Sequence, residues 1–347
     1  MKKFLICFAA LAAVTASCKK DSLHEEQTEG IVSIAIDCGS SGTRADTPNL
    51  SPQDYETAIR SVDILIFNEK GQLNVLHHTE TVEEIIKVSV STGQKDIWTV
   101  INGPDLSSVV RVADLRELKT MLEDNIVSGT GQGFVMVGNR SWNVTPTSED
   151  TPCIIDVHRF AARVALTQLN VQLPSGYENV KINNVMLINV VANQRLDGTA
   201  TPSVWYNKKG LTASGAIMDG STGRSAEQPE LTFKTSGATV KNNSSLPFNS
   251  PWYFYGYPNP TVSDSAEADG SFKAEQTRLV VSAEINGETF YYPVTLPTFE
   301  RNKAYEVELT IKGLGSDSPD TIPEKGNVNA TVTIKPWDPG AIVNEII

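Results

Sequence analysis

The sequence predicts an all-β protein with two tandem domains and one short helix in the first domain. Apolar residues at a spacing of two and β-branched runs, such as Val62 to Phe67, dominate many short segments, and both patterns are typical of strands. Turn-forming residues separate these segments, as in Asn68-Glu69-Lys70-Gly71. With 347 residues, the chain is long enough to bury the cores of two domains.

The first element along the chain is a predicted export signal over residues 1–17. Lys2 and Lys3 precede an apolar stretch from Phe4 to Ala16, which is the layout of a secretory signal and is shorter than the about 20 residues that a membrane-spanning helix needs. Thr15-Ala16-Ser17-Cys18 resembles a lipobox, in which the cysteine is acylated, so Cys18 is the predicted lipidation site. The alternative is ordinary signal peptidase cleavage after Ala16, which would leave Cys18 unmodified.

Residues 18–44 are predicted to form a tether and then a strand. The stretch from Lys19 to Glu29 is too polar to bury anything, whereas Gly30 to Asp37 has the β-branched content and partial alternation of a strand that carries Ile31, Val32, Ile34 and Ile36.

The linker behind this strand, Gly39 to Ala45, is rich in glycine and serine and contains one basic residue, Arg44. Proteases cut exposed segments of this kind, so Arg44 is a candidate cleavage residue. The alternative is an ordinary loop arginine.

Residues 45–152 are predicted to form the first domain, with strands at Val62 to Phe67, Ile85 to Val90 and Ile97 to Ile101. A helix packed on a sheet is expected between Asp105 and Asp124, because four apolar residues recur there at helical spacing. These residues are Val112, Leu115, Leu118 and Leu122. The Thr/Ser/acid-rich stretch from Pro146 to Pro152 is the predicted domain boundary.

Residues 153–327 are predicted to form the second domain, a sandwich or barrel of many short strands. A long strand is expected from Cys153 through Leu166. The later strands are expected at Val185 to Val191, Leu231 to Phe233, Trp252 to Tyr257, Leu279 to Ile285, Phe290 to Leu296 and Tyr305 to Ile311.

The C-terminal region, residues 328–347, contains two apolar pieces, Val332 to Ile334 and Ala341 to Ile347. An unpaired apolar tail promotes aggregation unless it has a docking place. The region is therefore a candidate donor strand, and the residues expected to be buried on docking are Val332, Ile334, Ile342, Val343 and Ile346. The alternative is a final strand tucked into its own sheet.

Composition and motifs argue against several other classes of function. A formal net charge of −12 and a pI near 4.9 oppose nucleic-acid binding, which needs a clustered basic face. The four histidines form no His-x-x-x-His pair, and the sequence contains no Cys-x-x-Cys or Gly-x-Ser-x-Gly motif. We therefore predict no catalytic residues, no metal and no cofactor. Only Cys38 and Cys153 could pair in the mature chain.

The remaining chemistry is assembly. A sandwich that loses a strand exposes an apolar groove bordered by unpaired N–H and C=O groups, and a strand from another chain can satisfy both. Such a system needs a removable strand, a cleavable linker and a spare strand. The segments Gly30 to Asp37, Gly39 to Ala45 and residues 328–347 are candidates for these parts.

Several motifs, in order and spacing, resemble the fimbrillin family, the subunits of type V pili. Besides the lipoprotein-like start at Cys18, they are Ser61-Val62-Asp63-Ile64-Leu65-Ile66-Phe67 with Gly71-Gln72-Leu73, His158-Arg159-Phe160-Ala161-Ala162-Arg163-Val164-Ala165-Leu166, Tyr255-Gly256-Tyr257-Pro258-Asn259, Glu300-Arg301-Asn302-Lys303-Ala304-Tyr305 and Ile334-Lys335-Pro336-Trp337.

The resemblance implies two tandem transthyretin-like β-sandwich domains and export to the outer membrane and cell surface as a palmitate-bearing lipoprotein. It also implies cleavage between Arg44 and Ala45 by an arginine-specific or trypsin-like protease. The lost strand would include Ile31, Ile34 and Ile36, and other pilus subunits, identical or different, would be the partners. A shaft subunit is the first expectation, with an anchor or tip subunit as the alternative.

An alternative from a different class is a cell-surface glycan-binding lipoprotein. Aromatic faces stack on sugars, and the aromatic residues that could build such a platform are Trp98, Trp142, Trp205 and Trp252.

Overall fold

A computed structural model describes residues 28–38, 53–81, 83–125, 133–207, 230–263 and 275–337. Strands dominate these residues, which confirms the predicted all-β class. Their α-helices are short, α1 (Asp54–Thr57) and α2 (Val112–Glu117), and are accompanied by 3-10 turns at Leu122–Asp124, Ser148–Asp150 and Glu230–Thr232. Over the described ranges, no helix is long and apolar enough to cross a membrane.

The N-terminal part of the chain forms a two-layer β-sandwich. One layer is a three-stranded sheet in the order β4-β1-β8, and the other is a five-stranded sheet in the order β3-β2-β5-β7-β9. The strands are β1 (Glu29–Asp37), β2 (Val62–Asn68), β3 (Leu73–Thr79), β4 (Ile86–Ser91), β5 (Gly93–Ile101), β6 (Lys119–Met121), β7 (Met136–Val144), β8 (Cys153–Asp156) and β9 (His158–Arg159).

The two layers enclose a core of aliphatic side chains. Alternate residues of β2 face it, including Ile64 and Ile66, and they meet Val32 and Ile34 of β1. The opposite face of β2 carries Leu65, which belongs to a second, larger core. Because both faces of β2 are covered, its sequence is almost continuously apolar rather than alternating.

The C-terminal part forms the second sandwich. One layer contains β16, β10, β20 and β21 in that order, with β17 also paired to β10, and the other is β15-β11-β18-β19. The strands are β10 (Ala162–Val171), β11 (Asn179–Ile188), β12 (Val190–Val191), β13 (Asn193–Arg195), β14 (Trp205–Tyr206), β15 (Phe233–Lys241), β16 (Ser244–Ser245), β17 (Trp252–Gly256), β18 (Arg278–Ile285), β19 (Glu288–Thr295), β20 (Lys303–Ile311) and β21 (Val328–Pro336).

The large core between these layers continues into the first sandwich. It joins Val164 and Val281 of the second sandwich to Leu65 and Trp98 on the outer face of the five-stranded sheet. A continuous apolar cluster therefore connects the two sandwiches.

The helix predicted from Asp105 to Asp124 is much shorter in the structure, where α2 spans only Val112–Glu117. Asp114 accepts hydrogen bonds from the backbone N–H groups of Val110 and Arg111 and so fixes the start. Leu118 has extended dihedrals, and β6 immediately afterwards pairs with β13. Long-range strand pairing thus outweighs the helical spacing of Leu118 and Leu122.

The long strand predicted from Cys153 to Leu166 is also wrong, because it is three strands. β8 pairs with β1, β9 pairs with β7, and only β10 belongs to the second sandwich. Residues 153–159 therefore complete the first sandwich, and the change of sandwich lies about seven residues after the boundary predicted at Pro152.

Candidate functional site: the groove of the N-terminal strand

β1 lies in the middle of the three-stranded sheet and is paired along both edges. It runs antiparallel to β4, from Glu29 opposite Ser91 to Ile34 opposite Ile86. It runs parallel to β8, from Ile34 beside Cys153 to Asp37 beside Asp156. Loss of β1 would leave two strands with unpaired N–H and C=O groups, separated by the width of one strand.

Alternation along β1 determines which residues enter the core. Val32 and Ile34 are fully buried, and Ile36 packs against the same cluster while partly buried. Ile31 is half-buried and lies on the opposite face, outside that cluster. Full burial of an aliphatic side chain contributes about 1.5–3 kcal/mol, so Val32 and Ile34 dominate the apolar contribution of this strand.

Two details of the groove restrict which residues can occupy it, a hydrogen bond at Ser33 and a close approach at Gly30. The Ser33 hydroxyl is buried and donates a hydrogen bond to the Glu149 carbonyl at 2.9 Å. A Cβ atom on Gly30 would lie only 2.9 Å from the Thr145 carbonyl oxygen and 3.1 Å from Val144 Cγ1. The groove is therefore too tight at the Gly30 position for a side chain unless its wall shifts.

The cysteines at this site are unpaired. Cys38 and Cys153 are both buried and free, and burial raises the pKa of each thiol to about 11, against smaller lowering effects of Arg159 and Arg140, respectively. Cys153 is beside Ile34, so Cys38 is four residues further along, about 13 Å at the rise of a strand. That separation is too long for a disulfide.

We expect Cys153 to report whether β1 is in place. With β1 bound, the thiol is inaccessible and protonated near pH 8, so alkylation by iodoacetamide should be slow. After cleavage and loss of β1, alkylation of Cys153 should become fast, because the groove side of β8 is then open. Mass spectrometry of the tryptic peptide measures this. Equal alkylation rates before and after strand loss would show that Cys153 does not line the groove.

A buried charged cluster lies where β1 ends. Glu56 of α1 is fully buried, and its carboxylate accepts hydrogen bonds from Arg163 Nη1 at 2.9 Å and from the Tyr255 hydroxyl at 2.5 Å. Arg159 Nη2 donates to the Glu56 backbone carbonyl at 2.7 Å. Burial lowers the pKa of Arg159, and the Glu56 carboxylate opposes this shift. α1 of the first sandwich is thus joined to β10 and β17 of the second.

Trp337, the last described residue, closes this cluster. Its side chain is 1% exposed, and Arg159 and Arg163 lie over its ring at 4.8 Å and 5.6 Å from the centroid. Tyr255 stacks on it at 5.7 Å. The Val157 N–H donates a hydrogen bond to the Asp37 carbonyl at 2.8 Å, so the end of β1 is bonded to a residue two positions before Arg159 of the same cluster. The end of β1, the start of α1 and the end of β21 therefore lie close together.

β21 pairs antiparallel with β20 from Val328 opposite Ile311 to Pro336 opposite Lys303. Val332 is partly buried against the large core, whereas Ile334 is 45% exposed. Within the described part of the chain, β21 pairs with no other strand, so one of its edges carries no ladder.

The predicted site residues fall into three groups. Ile34 and Ile36 line the core side of β1, and Ile31 lies on its other face. Val332 and Ile334 are in β21. The remaining ones lie outside the described residues, and they are Cys18, Arg44, Ala45, Ile342, Val343 and Ile346.

Sequence reasoning placed Val32 in the removable strand without singling it out as a site residue, and it missed Ser33. It also missed the charged cluster, although Arg159, Arg163 and Trp337 all belong to the motifs quoted above.

Comparison with known proteins agrees with this arrangement. The family model of the major fimbrial subunit protein FimA matches residues 31–157, from within β1 to the residue after β8. A major fimbrium subunit FimA type-2 of Porphyromonas gingivalis is 23% identical over 390 residues, 97% of each chain. A FimA type-3 subunit of the same organism is 22% identical over 401 residues, 99% of each. The chain is thus similar to fimbrial subunits, over residues 31–157 by the family model and along nearly its whole length by the curated relatives.

Solved structures are similar to this chain in fold. A candidate cell adhesion protein of Parabacteroides distasonis ATCC 8503 has a TM-score of 0.61 at 17% identity, with 89% of this chain and 98% of that chain covered. A fimbrilin of Porphyromonas gingivalis W83 has a TM-score of 0.56 at 14% identity, with 89% and 97% covered. At these identities the likeness concerns the fold.

Proposed function

We propose that this chain is a fimbrillin, a structural pilus subunit exported as a lipoprotein through Cys18 and polymerised at the cell surface by strand exchange. A trypsin-like or arginine-specific protease cuts between Arg44 and Ala45, β1 departs, and a strand from residues 328–347 of another subunit fills the groove. The observation that carries this proposal is the position of β1, an N-terminal strand paired on both edges and followed closely by a basic linker residue.

The energetics of the groove support replacement of β1 rather than simple loss. Without β1, the edges of β4 and β8 and the core around Val32 and Ile34 would all face water. Exposed strand edges of this kind pair readily with another chain. A cleaved subunit therefore has a strong tendency to capture a strand.

A shaft position fits best among the pilus roles. The chain offers both a strand to lose at its N-terminus and an apolar segment to give at its C-terminus, so it can be joined on two sides. Its partners are other pilus subunits, identical or different, and the outer membrane holds the lipidated precursor. The role is structural rather than enzymatic.

The glycan-binding alternative has little support from the aromatic residues proposed for it. Trp98 and Trp205 are buried, and Trp142 and Trp252 pack half-buried against the cores. These four side chains contribute to packing and do not form an exposed platform.

Limited trypsin digestion of the purified chain tests the proposal. N-terminal sequencing should find a new terminus at Ala45, and electrophoresis should show new multimers that resist SDS. A chain that is resistant at Arg44, or that is cut there and stays monomeric, would contradict strand exchange and favour an anchor subunit or a surface-binding lipoprotein.

A further inference from the structure

We infer that Val332-Thr333-Ile334 of β21 is the part of the C-terminal region that enters the groove of a second copy of this chain. It takes the places of Val32-Ser33-Ile34 and runs in the same direction as β1. This inference rests on the proposed strand exchange and specifies its register.

The match is between the buried part of β1 and one segment of β21. This buried part is a run of three consecutive residues, Val32, Ser33 and Ile34, which are 0%, 1% and 0% exposed. Val332 and Ile334 supply the same two aliphatic side chains at the same spacing. Thr333 keeps a hydroxyl like the one with which Ser33 binds the Glu149 carbonyl, so this carbonyl keeps a donor.

The distal tail fits the groove less well. With Gly340 at the Gly30 position, Ile342 takes the Val32 position but Asn344 falls at Ile34. With Ala341 there instead, Glu345 falls at Ile34. The Ile34 position is fully buried among aliphatic side chains, where an amide without partners costs about 1–3 kcal/mol and a carboxylate costs more.

The position of β21 in its own subunit also favours transfer. In its own subunit, Ile334 is 45% exposed and Val332 is only partly buried. Among the described strands, β21 pairs with β20 alone. In the groove, both side chains would take fully buried places, with β4 beside residues 329–334 and β8 beside residues 334–337. Strand pairing is therefore roughly conserved, and burial of Val332 and Ile334 is gained while Trp337 leaves its buried place over Arg159 and Arg163.

One point of the register is sterically tight. Ala330 falls at the position of Gly30, where a Cβ would lie 2.9 Å from the Thr145 carbonyl oxygen, so the backbone at Thr145 must shift to admit it. The reverse direction is worse, because aligning Val332 with Ile34 and Ile334 with Val32 brings Pro336 to the Gly30 position. The tight contact therefore selects the direction of β1 and makes residue 330 sensitive to size.

Cysteine cross-linking tests this register directly. Three of the four native cysteines precede Arg44, so Cys153 alone remains after cleavage there. Cys153 is the β8 partner of Ile34. Neighbouring strands lie about 4.8 Å apart, which suits a disulfide. Oxidised polymers of the Ile334→Cys chain should therefore give a ladder of disulfide-linked multimers on denaturing, non-reducing gels.

Three control chains define the result. Polymers of Val332→Cys and Thr333→Cys should give no ladder, because the first is two positions away from Cys153 and the second faces the other side. The double variant I334C/C153A should also give none. A ladder from Val343→Cys or Ile346→Cys, without one from Ile334→Cys, would overturn the register and leave strand exchange intact. Failure of the parent chain to polymerise would instead overturn the proposed function.

A second pair of variants tests the register without cysteines. Ala330 and Thr331 are both exposed in β21, so valine at either position should leave the monomer folded. Ala330→Val should lose polymerisation, because its side chain meets the Gly30 wall, whereas Thr331→Val should polymerise like the parent. Equal polymerisation of the two variants would overturn the register. This test remains decisive even if the Ile334→Cys chain does not polymerise.

Discussion

Replacing Arg44 with alanine is expected to abolish protease-triggered polymerisation while leaving a folded, monomeric chain. β1 would stay covalently attached through residues 39–52, so it would compete for the groove as an intramolecular strand. Tethering of this kind gives effective concentrations of the order of mM, far above the concentration of a donor strand from another subunit. The groove of the Arg44→Ala chain therefore stays occupied.

Native electrophoresis and SDS-resistant multimers after protease treatment measure this effect. Arg44→Lys is the matched control, because trypsin cuts after lysine but an arginine-specific protease does not. The control chain should polymerise with the first enzyme and remain monomeric with the second. Full polymerisation of Arg44→Ala, with β1 still attached, would show that removal of β1 is not required.

Replacing Glu56 with glutamine is expected to cause the largest loss of stability among single substitutions in the charged cluster. The Glu56 carboxylate receives Arg163 at 2.9 Å and both side chains are buried, so the neutral amide leaves buried guanidinium charge uncompensated. Breaking a buried ion pair in this way costs about 3–5 kcal/mol. Urea unfolding of the two chains measures the difference in the free energy of unfolding.

An exposed ion pair of similar length provides the control. Lys87 Nζ lies 2.8 Å from Glu149 Oε1, with both side chains well exposed, and exposed pairs contribute little because water screens them. Lys87→Gln should therefore leave the urea midpoint almost unchanged. If Glu56→Gln were equally mild, the cluster would not be a stabilising connection between the two sandwiches.

Local patterns predicted the strands of this protein better than its sheets. β2 and β5 follow from their apolar, β-branched runs, and the strand predicted from Gly30 to Asp37 is β1, at Glu29–Asp37. The neighbours of β1 could not be predicted, because β8 is more than 110 residues away and runs parallel to it. The short helix α2 shows the same limit, since pairing of β6 with β13 decides where it ends.

The candidate site was only partly predictable for the same reason. Alternation could identify Ile34 and Ile36 as core residues, but whether Ser33 is buried depends on Glu149 in a distant turn. Glu56 gave no local signal, because its partners Arg163 and Tyr255 come from strands more than 100 residues away. The donor and cleavage residues that lie outside the described ranges, Arg44 and Ile342 among them, remain predictions.

The groove and β21 belong to different sandwiches of one subunit, the groove to the first and β21 to the edge of the second. An interface between two unlike surfaces is heterologous, and it does not close on itself as a two-fold dimer does. Repetition of such a contact gives an open fibre in which every subunit points the same way. The two ends of that fibre would be chemically different, one with an empty groove and the other with an unused strand, so growth and termination would require different partners at each end.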